Sequence, residues 1–256
     1  MRKLNKFKKD QVRRSIYVLP NIFTTFNLFA GFFAIISSIE AKFTIAAVSV
    51  LIAGVFDLLD GKIARATNTS SQFGIEYDSL ADLVSFGIAP MLLMYLWALK
   101  PLGRLGWLAA FLFMACGALR LARFNTNTGT VDNEYFTGLP IPAAAGMVAT
   151  IVLFTDKINL EVNSLLMLTS LYWLSFLMVS TIKFKSLKKH AFFRRMKFHI
   201  LASGVLILIF IAAQPQITLF ILSVFYILSG PFLSLKNRLF KNRLKTEEAK
   251  QSIKGI

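Results

Sequence analysis

Between residues 57 and 82 the chain reads DLLDGKIARATNTSSQFGIEYDSLAD, which sets Asp57, Asp60, Glu76, Asp78 and Asp82 in one short stretch. Carboxylate oxygens are hard donors: grouped, they hold Mg²⁺ or Mn²⁺, and singly they accept a proton. Asp57 and Asp60 are three residues apart and Asp78 and Asp82 four, so each pair shares a face if its segment is helical. A short connection between two such helices would bring the pairs together, giving oxygen donors for two cations that clamp a phosphoryl group. Gly61 and Ala64 remove bulk along the first helix, leaving room for a flat base or a pyrophosphate against the backbone. Arg65 offers a planar fork to phosphate oxygens, and Gly74, ahead of Asp78, again permits close approach. These types and spacings fit a site for a nucleotide diphosphate. Carboxylates that merely capped helices or solvated a loop would need neither the paired faces nor the small residues between them.

The elements that must position these groups are membrane helices. Of 256 residues 55% are hydrophobic and 25 are Phe, with a mean hydropathy of +0.61, which excludes an ordinary soluble globule. A carboxylate near the centre of a bilayer helix costs about 2.5–3.5 kcal/mol, so the acidic stretch belongs at helix ends, facing water, cations or protein. With about 20 residues needed to cross the hydrocarbon, eight spans are predicted: 20–39, 43–65, 77–98, 105–124, 140–155, 163–182, 199–213 and 216–235. A basic interfacial segment (1–19) precedes them, with Pro20 expected in a first helical turn, and a charged tail (236–256) follows the membrane domain (20–235). The apolar run to Ser38 is long and lacks a small-residue cleavage site, which speaks against a cleaved leader.

The formal net charge is +16, and 25 of the 29 Lys and Arg fall on one side of the predicted spans. Both termini and the acidic stretch are therefore expected on the cytoplasmic side. Basic residues interspersed with apolar runs point to anionic lipid headgroups as counterions and away from nucleic acid. Cys116, the single cysteine, reads as a small core residue, and His190 and His199 have no second ligand nearby to make a metal site.

The order DxxDGxxAR, eight residues, then GxxxDxxxD is carried by Asp57, Asp60, Gly61, Ala64, Arg65, Gly74, Asp78 and Asp82. It resembles the signature of the CDP-alcohol phosphatidyltransferase family. The resemblance implies an all-α polytopic membrane enzyme with a six-helix core, here joined by two further spans. It also implies a homodimer and two divalent cations at the cytoplasmic surface of a bacterial inner membrane. Asp57 and Asp78 would then contact both metals, Asp60 the first, and Asp82 the second while serving as general base. Gly61, Arg65 and Ser71 would bind the CDP-linked lipid, and Asn21 and Thr24 would close the nucleotide pocket.

The phrases PNIFTTFNLFAG, GALRLARFN and YFTGLPIPAAAG resemble the membrane-integral phosphatidylserine synthases of bacteria. That likeness implies CDP-diacylglycerol and L-serine as substrates. Relatives that use glycerol phosphate carry an arginine near Asn27, and its absence here speaks against a phosphorylated acceptor. Arg120 and Arg123, three apart, are candidates for the serine carboxylate or the donor phosphate, with topological snorkelling as the alternative. Glu76 or Asp132 would meet the ammonium, and Gly138, Pro140 and Pro142 would shape the start of the fifth span. The same chemistry with glycerol 3-phosphate, inositol phosphate or choline is the competing reading. An ion-coupled transporter would want carboxylates at midplane and a repeat of the motif in the other half of the chain, and the sequence offers neither.

Overall fold

The structure is a computed structural model and describes residues 2–67, 71–126, 135–185, 204, 206, 209, 210 and 212–254. The chain begins with α1 (Arg2–Ile39), which turns at Ala41 into α2 (Phe43–Thr67). Ala41 takes φ 57°, and the turn is held by the Lys42 N–H on the Ser37 carbonyl at 2.8 Å. The third rod, α3 (Gln72–Leu102), is α-helical over Gln72–Asp82 and Ala89–Met94, with π turns at Leu83–Ile88 and Tyr95–Leu99. Then come α4 (Arg104–Thr126), α5 (Ile141–Lys157), α6 (Ser164–Val179) and α7 (Pro215–Lys254). A short ribbon pairs β1 (Tyr135–Thr137) antiparallel with β2 (Lys183–Lys185), Phe136 opposite Phe184.

In a bilayer, lipid tails are as apolar as leucine, so helices associate where small residues let them approach. The interior follows that rule: Ala34, Ala46, Ala53, Ala89, Ala109 and Ala144 are fully buried. Many large apolar side chains point outward, among them Phe29, Phe73, Phe225 and Phe232, each more than 60% exposed, while Phe86, Phe113 and Phe184 fill the interior between the small residues. α1 packs along α2, α3 crosses α1, α2 lies on α5, α4 on α6, and α5 on α7. At the crossing of α1 and α3 a Cβ on Gly31 would fall inside Ser85, whose hydroxyl donates to the Asn27 carbonyl at 2.9 Å.

This is an all-α polytopic membrane protein; among the described residues five helices are long and apolar enough to cross a bilayer, and two shorter ones, α5 and α6, fill the bundle. The predicted spans 43–65, 105–124, 140–155 and 163–182 coincide with helices to within a few residues, and 20–39 is the apolar C-terminal part of α1. The third begins at Gln72 rather than 77, because the Ser71 hydroxyl accepts the Gly74 N–H at 3.0 Å and starts the helix there. Pro20 was expected in a first turn but sits inside α1, where the Thr24 hydroxyl lies 3.2 Å from its carbonyl. The helices α1 and α7 also run without a break across 19/20 and 235/236. The ribbon was not anticipated; three-residue strands carry no readable alternation. The predicted span 199–213 and the basic loop 183–197 fall largely outside the described residues, and Asp132, His190 and His199 fall outside them altogether.

Candidate active site

Asp57 and Asp60 lie on α2, one turn apart, and Asp78 and Asp82 lie on the first three turns of α3. Because α2 and α3 are joined by only a few residues, the helix ends meet and the carboxylates converge. Asp57, Asp60 and Asp78 each offer an oxygen, and the three atoms lie within 4.8 Å of one another. Three hard donors at that spacing, held on two rigid helices, fit a divalent cation of the Mg²⁺ or Mn²⁺ type. Asp82, one turn beyond Asp78, does not join this trio among the described residues.

Two of the carboxylates are held from α1. Thr24 donates to Asp60 Oδ2 at 3.1 Å, and Asn27 donates through Nδ2 to Asp82 Oδ1, also at 3.1 Å. Thr24, Asn27, Asp60 and Asp82 are all buried, Asn27 completely. Thr24 and Asn27 are three residues apart on α1, so the two hydrogen bonds rise from one face. Farther out, the Thr25 and Tyr77 hydroxyls stand 3.0 Å apart and tie α1 to α3 again.

Two clefts meet at these carboxylates. The smaller is lined by Asn21, Thr24, Ala64, Ser71 and Gly74, and it shares Asp60, Gly61, Ile75 and Asp78 with the larger. A Cβ on Gly61 would meet only the Arg65 guanidinium, at 3.7 Å, so the space above this glycine is otherwise open. Gly74 differs: a Cβ there would press on Ser71 Oγ at 3.2 Å and Asn21 Oδ1 at 3.4 Å, which makes it a packing glycine between α3 and α1. The larger cleft, about 600 Å³, is lined by Asp57, Asp82, Arg65, Arg120, Pro140, Pro142 and Tyr226, with Leu58 and Phe124 at its exposed rim.

Every donor-side residue named from the sequence therefore lines one cleft or the other: Asn21, Thr24, Gly61, Ala64, Arg65, Ser71 and Gly74. Arg120 and Arg123 part company. Arg120 is half-buried in the larger cleft, whereas Arg123 is exposed and lines neither. Glu76 is exposed on α3, accepting from Gln72 at 2.9 Å, and lines neither cleft. Pro140 caps α5 and Gly138 adopts φ +81° against the Met178 carbonyl, so this segment shapes the start of the fifth predicted span, and Pro140 and Pro142 also line the larger cleft.

Two residues escaped the sequence reading. Asn27 is a polar amide within an apolar span, which is itself a signal, but its partner lies 55 residues away. Tyr226 is a lone phenol in the apolar run LFILSVFYILSG, and only the packing of α7 on α5 brings it to the cavity.

The model of the CDP-alcohol phosphatidyltransferase family matches residues 17–229. A Helicobacter pylori protein named CDP-diacylglycerol–serine O-phosphatidyltransferase is 39% identical over 232 residues, covering 89% of this chain and 97% of that one. A Bacillus subtilis protein of the same name is 39% identical over 173 residues, 68% of this chain and 93% of its own. An archaetidylserine synthase of Methanothermobacter thermautotrophicus is 39% identical over 146 residues, 56% and 61% of the two chains. With the match running from α1 into α7 and the aspartates converging where α2 meets α3, the chain belongs to the CDP-alcohol phosphatidyltransferase family.

Proposed function

We propose that the protein transfers the phosphatidyl group of CDP-diacylglycerol to the hydroxyl of L-serine, releasing CMP and forming phosphatidylserine. The observation that carries this reading is the meeting of two clefts at one set of carboxylates, which supports a nucleotide in the smaller and an acceptor in the larger. Relatives that share most of their length with this chain bear the serine-transferase name, which supports serine as the acceptor.

On the nucleotide side, Asn21, Thr24, Gly61, Ala64, Ser71 and Gly74 receive the CDP moiety, with Gly61 leaving its open face to the pyrophosphate. Arg65, folded back over Gly61, supplies a guanidinium to the phosphate oxygens. The acyl chains leave past Leu58 and Phe124 into lipid. On the acceptor side, serine enters the larger cleft, Arg120 faces its carboxylate, and Asp82 takes the proton of its hydroxyl as the oxygen attacks phosphorus in line. Arg123 is better placed to anchor α4 at the membrane surface than to hold substrate. Asp57, Asp60 and Asp78 would hold two divalent cations, Mg²⁺ or Mn²⁺, with Asp82 completing the second. Such ions supply charge neutralisation to the phosphoryl and leaving oxygens.

The excess of basic residues on one side supports a multi-pass protein of a bacterial inner membrane with both termini and the site cytoplasmic, and family likeness supports a homodimer. Purified protein given CDP-diacylglycerol with serine, glycerol 3-phosphate, inositol phosphate or choline should release CMP with serine. CMP release only with another of these alcohols would overturn the assignment of the acceptor.

A further inference from the structure

Tyr226 is assigned no part in the chemistry above, yet α7 carries it into the acceptor cavity, where it lines the wall together with Arg120 and Asp82. Its place there is built. Gly230, one turn farther along α7, has no side chain, and the ring of Phe184 occupies the space a Cβ would need. Phe184, from β2, is completely buried, and its ring tilts against that of Tyr226 with centroids 6.1 Å apart. The ribbon that joins β1 and β2 thereby braces Tyr226 against the cavity. In the same cavity Arg120 leaves Nε buried without a hydrogen-bond partner among the described residues. The guanidinium itself lines the cavity, beside aspartates and one other basic side chain, Arg65, and with its buried Nε unpartnered it favours an anionic oxygen from a ligand at its cavity-facing end. A phenol beside it adds a neutral O–H donor at no cost in charge.

We infer that Tyr226 and Arg120 together form a carboxylate subsite for the amino-acid acceptor, the phenol and the guanidinium each donating to the carboxylate. This rests on the proposed transfer to serine. It goes beyond that reading by giving α7 a role in choosing the acceptor: an alcohol without a carboxylate forfeits both donors. The donor phosphate could present similar oxygens, and the experiment separates the two sources.

The test is Tyr226→Phe, which keeps the ring against Phe184 and removes only the hydroxyl. Losing one hydrogen bond to a charged group corresponds to about tenfold in binding. The KM for serine should rise by about that factor, while the KM for CDP-diacylglycerol stays within about twofold and turnover at saturating serine is kept. L-alanine, which carries the carboxylate and ammonium but no hydroxyl, should lose inhibitory strength by the same factor. Serinol, which lacks the carboxylate, should inhibit wild type and variant alike. An unchanged KM for serine overturns the subsite. A raised KM for CDP-diacylglycerol overturns it in favour of donor phosphate. A wild-type protein that releases no CMP with serine fails earlier and separately, at the reading of the function itself.

Discussion

Asn27 donates to one oxygen of Asp82 at 3.1 Å from a fully buried position, which fixes that carboxylate for the base role proposed for it. Asp82→Asn should remove turnover by about 10²–10⁴-fold, the contribution typical of a positioned base, while CDP-diacylglycerol binding remains measurable. Wild-type turnover in that variant would strip Asp82 of the role. A hydrogen bond to a charged group is worth about 1.5–3 kcal/mol, so Asn27→Ala should lower kcat by about ten- to a hundredfold with the donor KM unchanged. In the Asp82→Asn background the same substitution should cost little more, because the two residues act as one unit. The aspartates were legible in the sequence because helical spacing alone pairs them. Asn27 and Tyr226 were not, since their value depends on which residue a distant helix brings opposite, and no local period encodes that.

At the level of elements, α1 and α3 meet without clearance. A Cβ on Gly31 would overlap the backbone and side chain of Ser85, whereas one on Gly146, in α5, would touch nothing within 4 Å. Gly31→Ala should therefore destabilise the folded protein by about 1–3 kcal/mol, read as a lower thermal midpoint in detergent. It should also cut activity, because Ser85 bonds the carbonyl of the same Asn27 that holds Asp82. Gly146→Ala should leave both unchanged, and equal effects of the two would refute the close crossing. Hydrophobic length gave most spans correctly because lipid imposes it. It misjudged the start of α3, where Ser71 acts as a helix cap as well as a wall of the smaller cleft. A hydroxyl with two duties reads as only one of them in sequence. The π turn at Leu83–Ile88 was equally hidden, since no residue type marks it; such turns often adjoin functional sites, and this one follows Asp82 directly.

For the whole molecule, the asymmetry of basic residues makes a claim about sidedness. Cys116 is the only native cysteine and is buried, so a cysteine-free background is one substitution away. In that background a cysteine at Asp10 should react with a membrane-impermeant maleimide only after cells are opened. One at Lys42, in the turn between α1 and α2, should react in intact spheroplasts. The reverse pattern would invert the orientation. The outward-facing Phe and Leu side chains, with Leu58 and Phe124 at the rim of the larger cleft, have a kinetic meaning as well. A donor that reaches the carboxylates sideways, from within the lipid sheet, is met by two-dimensional diffusion, so its effective concentration is a mole fraction of the surface. Adding inert detergent to mixed micelles at fixed total CDP-diacylglycerol should then slow the reaction by surface dilution, whereas adding water should not. With such lateral entry the membrane would set substrate concentration, and cells would tune the rate through lipid composition.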